Sequence, residues 1–166
     1  GDSNVALNWT APFNGGREID HYVIYVNGSE IGNTTETSKV VTGLSNGISY
    51  EFFVQAHNLA GNGSRSEIVC GIPYTVPNAP TDLSALAGNS NVTLNWAAPL
   101  FDGGDAIDFY VIYQDQMDVL HVTGTSAVVE FLGNGQNYSF AVSAHNRAGT
   151  GDASGAVNAI PYTVPD

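Results

Sequence analysis

Apolar and polar residues alternate along this chain in short runs, and no stretch has helical spacing. Val, Ile, Tyr and Phe recur at every second position, and clusters of Gly, Asn and Pro separate the runs. In the C-terminal half the pattern predicts strands over 82–87, 91–97, 107–114, 119–123, 127–131, 138–146 and 153–160. Seven strands in about 80 residues fit two antiparallel sheets packed face to face. Alternation also assigns the faces. Tyr138, Phe140, Val142 and Ala144 point one way, and Ser139, Ala141, Ser143 and His145 the other.

The same pattern occurs twice. Trp9, Pro12, Tyr22, Leu44, Tyr50 and Pro73 answer to Trp96, Pro99, Tyr110, Leu132, Tyr138 and Pro161. The offset is 87 up to the prolines and 88 after one inserted residue in the following loop. Tyr50, Phe52, Val54 and Ala56 repeat the inward set, against Glu51, Phe53, Gln55 and His57. A 166-residue chain with this repeat holds two small domains, 1–76 and 77–166. Leu44 and Leu132 are expected to plug the sandwich ends. Each following Tyr would bury its ring and send its hydroxyl back to the preceding turn.

These residues resemble the fibronectin type III domain. The resemblance rests on Leu7-Asn8-Trp9 and Leu94-Asn95-Trp96, each followed by Ala-Pro, and on Tyr-Val-Ile-Tyr at 22–25 and 110–113. The Leu44/Tyr50 and Leu132/Tyr138 pairs and Ala-His-Asn-x-Ala-Gly-x-Gly at 56–63 and 144–151 complete it. The Gly-Gly loop after Ala-Pro is closer to microbial members. The resemblance implies an all-β chain of two immunoglobulin-like antiparallel sandwiches in tandem.

One departure stands out. Residues 80–88 supply a first strand before Trp96, whereas only eight residues precede Trp9. The first copy is therefore expected to lack its first strand. Two explanations stand open: a longer repeat array cut out of phase, or a neighbouring chain that donates the strand to an uncovered edge. Donation would join subunits head to tail, a heterologous contact that grows filaments. Between the copies lies Pro73-Tyr74-Thr75-Val76-Pro77-Asn78-Ala79-Pro80, whose three prolines predict a stiff, extended linker and a rod-like pair.

Sixteen acidic against four basic residues leave a net charge of −12, with −4 on the first copy and −8 on the second. Such a surface repels nucleic acid and anionic membranes. No apolar run reaches membrane-spanning length, so direct membrane insertion is not expected. The single cysteine, Cys70, allows no internal disulfide, and its counterpart Asn158 suggests an outward position. Asn-x-Ser/Thr triplets begin at Asn8, Asn27, Asn33, Asn62, Asn91 and Asn137. They are candidate glycosylation sites in a secreted protein. Asn33, placed in a polar loop, is the best of them, and Asn8 and Asn137, placed within strands, are poorer.

No set of residues converges on catalysis, and no catalytic, cofactor or metal site is expected. His57 and His145 occupy equivalent outward positions and read as sheet-surface residues. Asp102, Asp105 and Asp108 gather in one loop without the spacing of a calcium loop, and read as a solvated turn. The best functional candidate is a surface. On the outer side of the third and sixth strands lie Val23, Tyr25 and Phe53 in the first copy, and Phe109, Val111 and Tyr113 in the second. Such groups mark a contact site or simply pack across strands.

The resemblance thus implies a non-catalytic structural and interaction module of an extracellular or cell-surface protein. It would serve as a spacer, an adhesin segment or a filament subunit, with protein partners that include copies of itself. The other reading is an accessory region of a secreted polysaccharide-degrading enzyme.

Overall fold

The computed structural model describes residues 1–165, and their regular elements are all strands. The chain divides into two compact units, Gly1–Tyr74 and Thr75–Asp166.

In the first unit the strands are β1 (Asn4–Asn8), β2 (His21–Val26), β3 (Ser29–Thr34), β4 (Ser38–Thr42), β5 (Tyr50–Asn58), β6 (Gly61–Arg65) and β7 (Val69–Gly71). One sheet pairs β1 with β4. The other runs β3-β2-β5-β6, with β7 also on β5, and every pairing is antiparallel. Leu7, Tyr22, Ile24, Val26, Val41 and Phe52 form the core between the sheets.

The second unit holds β8 (Thr81–Ala87), β9 (Asn91–Ala97), β10 (Phe109–Gln114), β11 (Met117–Val122), β12 (Ser126–Glu130), β13 (Tyr138–Asn146), β14 (Gly149–Ala153) and β15 (Val157–Ala159). Its sheets are β12-β9-β8 and β11-β10-β13-β14, with β15 on β13. Leu94, Trp96, Tyr110, Ile112, Phe140 and Val142 lie at the centre of its core. Among the described residues the first unit has no counterpart of β8, so β1 is paired on one side only.

Local chemistry explains the register. Asn27 and Gly28 both take positive φ, 49° and 79°, as do Asp115 and Gln116 at 50° and 70°. Two such residues make the tight turn whose twist matches a hairpin. Asn27 Oδ1 accepts the Glu51 N–H, and Asp115 Oδ1 accepts the Ser139 N–H, both at 2.9 Å. Each side chain thereby ties its hairpin to the next strand. The tyrosine corners are present in both units: the Ser45 N–H donates to the Tyr50 hydroxyl and the Gly133 N–H to that of Tyr138, each at 2.9 Å. The indoles pack edge-on, Trp9 on Tyr22 at 5.4 Å and Trp96 on Tyr110 at 5.5 Å.

Three expectations need correction. The strand predicted over 153–160 is only β15 in its second half, and β14, which the pattern does not predict, ends at Ala153, because the Ser154 side chain accepts the Val142 N–H while its own N–H donates to the Val142 carbonyl. That side chain takes the place of a ladder partner, and the strand steps off at Ser154. Asn33 is not in a loop; it sits on β3, opposite Val23, with its side chain exposed. Asn137 is not within a strand, since β13 begins at Tyr138.

Candidate functional site

The outer face of the larger sheet places the six candidate surface residues at matched positions. Tyr25 lies opposite Phe53 on β5, and their rings stack at 4.5 Å and 9°. The Arg65 guanidinium sits 5.8 Å from the Phe53 ring centre, within cation–π reach. In the second unit Ala141 and Ala153 replace Phe53 and Arg65. A shallow depression of about 370 Å³ opens there beside Tyr113, Ser139, Ser143 and Asp152. Phe109 instead stacks between His121 and His145, at 5.0 and 4.3 Å. Val23 and Val111 are only 5% and 3% exposed. They present almost no surface. The apolar surface is thus carried by Tyr25 and Phe53 in one unit and by Phe109 and Tyr113 in the other.

At the start of β2, Asp20, His21 and His57 form a polar cluster. Asp20 Oδ1 is 2.7 Å from Nδ1 of each histidine, and the two imidazoles stack at 4.3 Å. The hydrogen bond from His57 holds the Asp20 carboxyl below its usual range. Desolvation opposes that shift, and the charges of both histidines add to it. The three potential ligand atoms lie within 4.8 Å of one another. Both Nδ1 atoms aim at one carboxylate oxygen, which therefore takes the place where a cation would sit between them. The second unit has Phe109 at the position of His21, so the cluster is not repeated.

The carboxylates of 102–108 do not converge. Asp102 Oδ1 accepts the Gly104 N–H at 2.8 Å, Asp105 faces Arg147 Nε at 3.3 Å, and Asp108 lies 3.6 Å from His145 Nδ1. Each serves its own turn or neighbour.

The largest difference between the units is what covers them. In the second, β8 lies along β9 and sets Leu83, Ala85 and Ala87 against the core. In the first, β1 has no such neighbour, and a crevice of about 220 Å³ opens beside Leu7, Trp9, Phe52, Val54 and Val69. Trp96 is 6% exposed, whereas Trp9 is only half-buried. A second crevice of the first unit, about 460 Å³, runs past Asn14, Gly15, Asn58, Gly61 and Gly63. Nothing in the local alternation marked Asn58 or its counterpart Asn146 as special. Their repetition after a histidine was the available signal.

A family model described as "Fibronectin type III domain" matches residues 1–71 and again 78–160. The chain belongs to the fibronectin type III family. It is 36% identical over 154 residues to a Kelch domain-containing protein of Saccharolobus solfataricus, covering 90% of this chain and 21% of that protein. It is 30% identical over 167 residues to Chitinase A1 of Niallia circulans, covering 95% and 23%. The fibronectin type III pair thus spans about a fifth to a quarter of the length of these relatives. A crystal structure of titin domains superposes with a TM-score of 0.68 at 21% identity, over 87% of this chain and 55% of that one, which is a likeness of fold.

Proposed function

We propose that this fibronectin type III pair is a non-catalytic structural and interaction module of an extracellular or cell-surface protein. It acts as a spacer, adhesin segment or filament subunit, and its first unit is completed by a strand from another repeat. One observation carries this reading: the β1 edge borders an open crevice lined by Leu7, Trp9, Phe52 and Val54, where the second unit has β8. An unpaired edge beside uncovered apolar residues favours strand addition, in which main-chain bonds give affinity and alternate side chains fill the crevice. The half-buried aromatic residues Tyr25 and Phe53 in one unit, and Phe109 and Tyr113 in the other, support a second mode of contact, through the sheet face.

The test is to append residues 80–88 to the N-terminus. Strand addition predicts higher melting of the first unit and a blue shift of Trp9 emission as the indole loses water. An extended chain that melts and self-associates like the original one ends the reading.

A second reading has its own support. Similarity to Chitinase A1 across 95% of this chain favours an accessory region of a secreted polysaccharide-degrading enzyme. The catalytic groups would then lie in other domains. A catalytic domain in the same open reading frame would favour it; further copies of the repeat, or an anchor, would favour the surface structure.

A further inference from the structure

In the second unit the residues between the repeats are not a free linker. Thr75–Asn78 lies in a groove at the end of the sandwich. The Thr75 N–H donates to the Gly103 carbonyl at 2.8 Å, and the Asn78 N–H to the Phe101 carbonyl at 3.0 Å. Asn146, fully buried, donates from Nδ2 to the Thr75 and Asp102 carbonyls, both at 2.8 Å. Two glycines leave room for the segment. A Cβ on Gly103 would collide with the Thr75 carbonyl oxygen, and one on Gly151 with that of Pro77. Gly149 faces the Val76 side chain, whose Cγ1 would lie 3.6 Å from an added Cβ.

The first unit keeps the parts of this groove, and none of the described residues lies in it as Thr75–Asn78 lies in the second. Asn58 Nδ2 donates to the Asn14 carbonyl at 3.0 Å, as Asn146 does to that of Asp102. Its remaining amide hydrogen, which in Asn146 goes to Thr75, meets no acceptor among the described residues. Gly15, Gly61 and Gly63 stand where Gly103, Gly149 and Gly151 do. Gly15 and Gly61 have positive φ, which is reason enough for glycine. Gly63 does not. The nearest atom to a Cβ there is the Ala56 carbonyl oxygen at 3.4 Å, an ordinary contact. Its counterpart is a glycine because a proline carbonyl rests on it. Phe13 is 90% exposed, whereas its counterpart Phe101 is 38%.

We propose that this groove of the first unit, formed by Asn14, Gly15, Asn58, Gly61 and Gly63, binds the Tyr162–Pro165 segment of a second copy of this chain. The occupant is chosen by identity. Residues 160–165 read Ile-Pro-Tyr-Thr-Val-Pro, letter for letter the sequence of 72–77. Both segments leave their units the same way, through Tyr74 N–H to the Gly1 carbonyl and Tyr162 N–H to the Gly88 carbonyl. Yet Tyr162 and Val164 are 64% and 79% exposed. Pro161 and Pro165 hold the backbone extended, so little freedom is lost on docking. In the docked tail Thr163 N–H donates to the Gly15 carbonyl, Asn58 donates to the Thr163 carbonyl, and the Pro165 carbonyl lies on Gly63. This deepens the head-to-tail reading proposed above, but it uses the groove and not the β1 edge.

Backbone amide spectra of the intact chain, recorded over a dilution series up to about 1 mM, test it. The Asn58, Gly61, Gly63 and Val164 signals are expected to move with concentration. Gly63→Ala fills the place of the Pro165 carbonyl, and Thr163→Pro removes the N–H of an exposed tail residue, with unchanged melting of the second unit as its control. Each is expected to raise the half-effect concentration at least tenfold. Signals that stay still to that concentration, or that move equally in either variant, overturn the proposal. Movement centred on Val5 and Leu7 instead would also overturn it, and would leave strand addition standing. Failure of the appended-strand experiment alone would leave the groove standing.

Discussion

The two units carry one pattern at one register, and they are not equally closed. Trp96, Leu132, Tyr138, Val142 and Ala144 are buried, while Trp9, Leu44, Tyr50, Val54 and Ala56 are only half-buried. Among the described residues the clearest difference of architecture is the segment that runs from Thr75 through β8. Alternation makes a strand and aims its side chains, but burial depends on what lies over them. The second unit therefore works as an internal control for the first.

The sharpest break in that comparison comes at the core. Phe52 and Phe140 are equivalent and almost wholly buried. Phe140→Ala is expected to cost the second unit about 3–5 kcal/mol, as large-to-small changes in closed cores do. Phe52→Ala should cost the first unit less, since Phe52 borders the crevice beside Trp9 and water can enter the space left behind. Urea unfolding followed by the amide signals of each unit measures both. Equal losses would mean that the open crevice does not soften the first core.

The asparagines come next. Asn146→Ala strands two carbonyls, Thr75 and Asp102, that its amide now satisfies inside the protein. A cost of about 2–3 kcal/mol to the second unit is expected. Asn58→Ala removes one bond from a half-exposed site and should cost about 1 kcal/mol or less. A smaller contrast separates the glycines. Gly151→Ala must displace the Pro77 carbonyl and should destabilise by about 1–3 kcal/mol. Gly63→Ala meets only an ordinary contact, and the melting of the first unit should not fall.

Much of this was legible in the sequence, and the boundary of legibility has a physical cause. Strands, faces, tyrosine corners and the missing first strand are properties of local alternation and of the repeat, so they could be read directly. The groove could not. Pro73–Pro80 reads as a stiff linker because its prolines report backbone stiffness and say nothing of what the backbone rests on. Its partners are Phe101 and Gly103, from the loop before β10, and Asn146 and Gly151, from the β13–β14 hairpin, which only the folded chain brings together. Val23 and Val111 sit on the outer face as alternation requires. Alternation does not report how little of either side chain is exposed. The break at Ser154 was hidden for a similar reason, since the hydroxyl acts on Val142 across the sheet.

The smallest expected effect concerns Asp20, which faces two histidines where Asp108 faces one, 3.6 Å away. In the folded first unit the His57 hydrogen bond keeps the Asp20 carboxyl below the usual value of about 3.9, the value it regains on unfolding. The folded state then binds fewer protons than the unfolded state between those two values. The stabilisation is fully present above the unfolded value and is lost as pH falls through the depressed folded one. Because Asp20 is half-exposed, solvent screens the interaction and the effect should be slight. Asp20→Asn should flatten the acid limb of the melting curve of the first unit, and leave the second unit unchanged. An acid limb of the same slope in Asp20→Asn would show that the cluster contributes nothing to folding and that the two units meet acid in the same way.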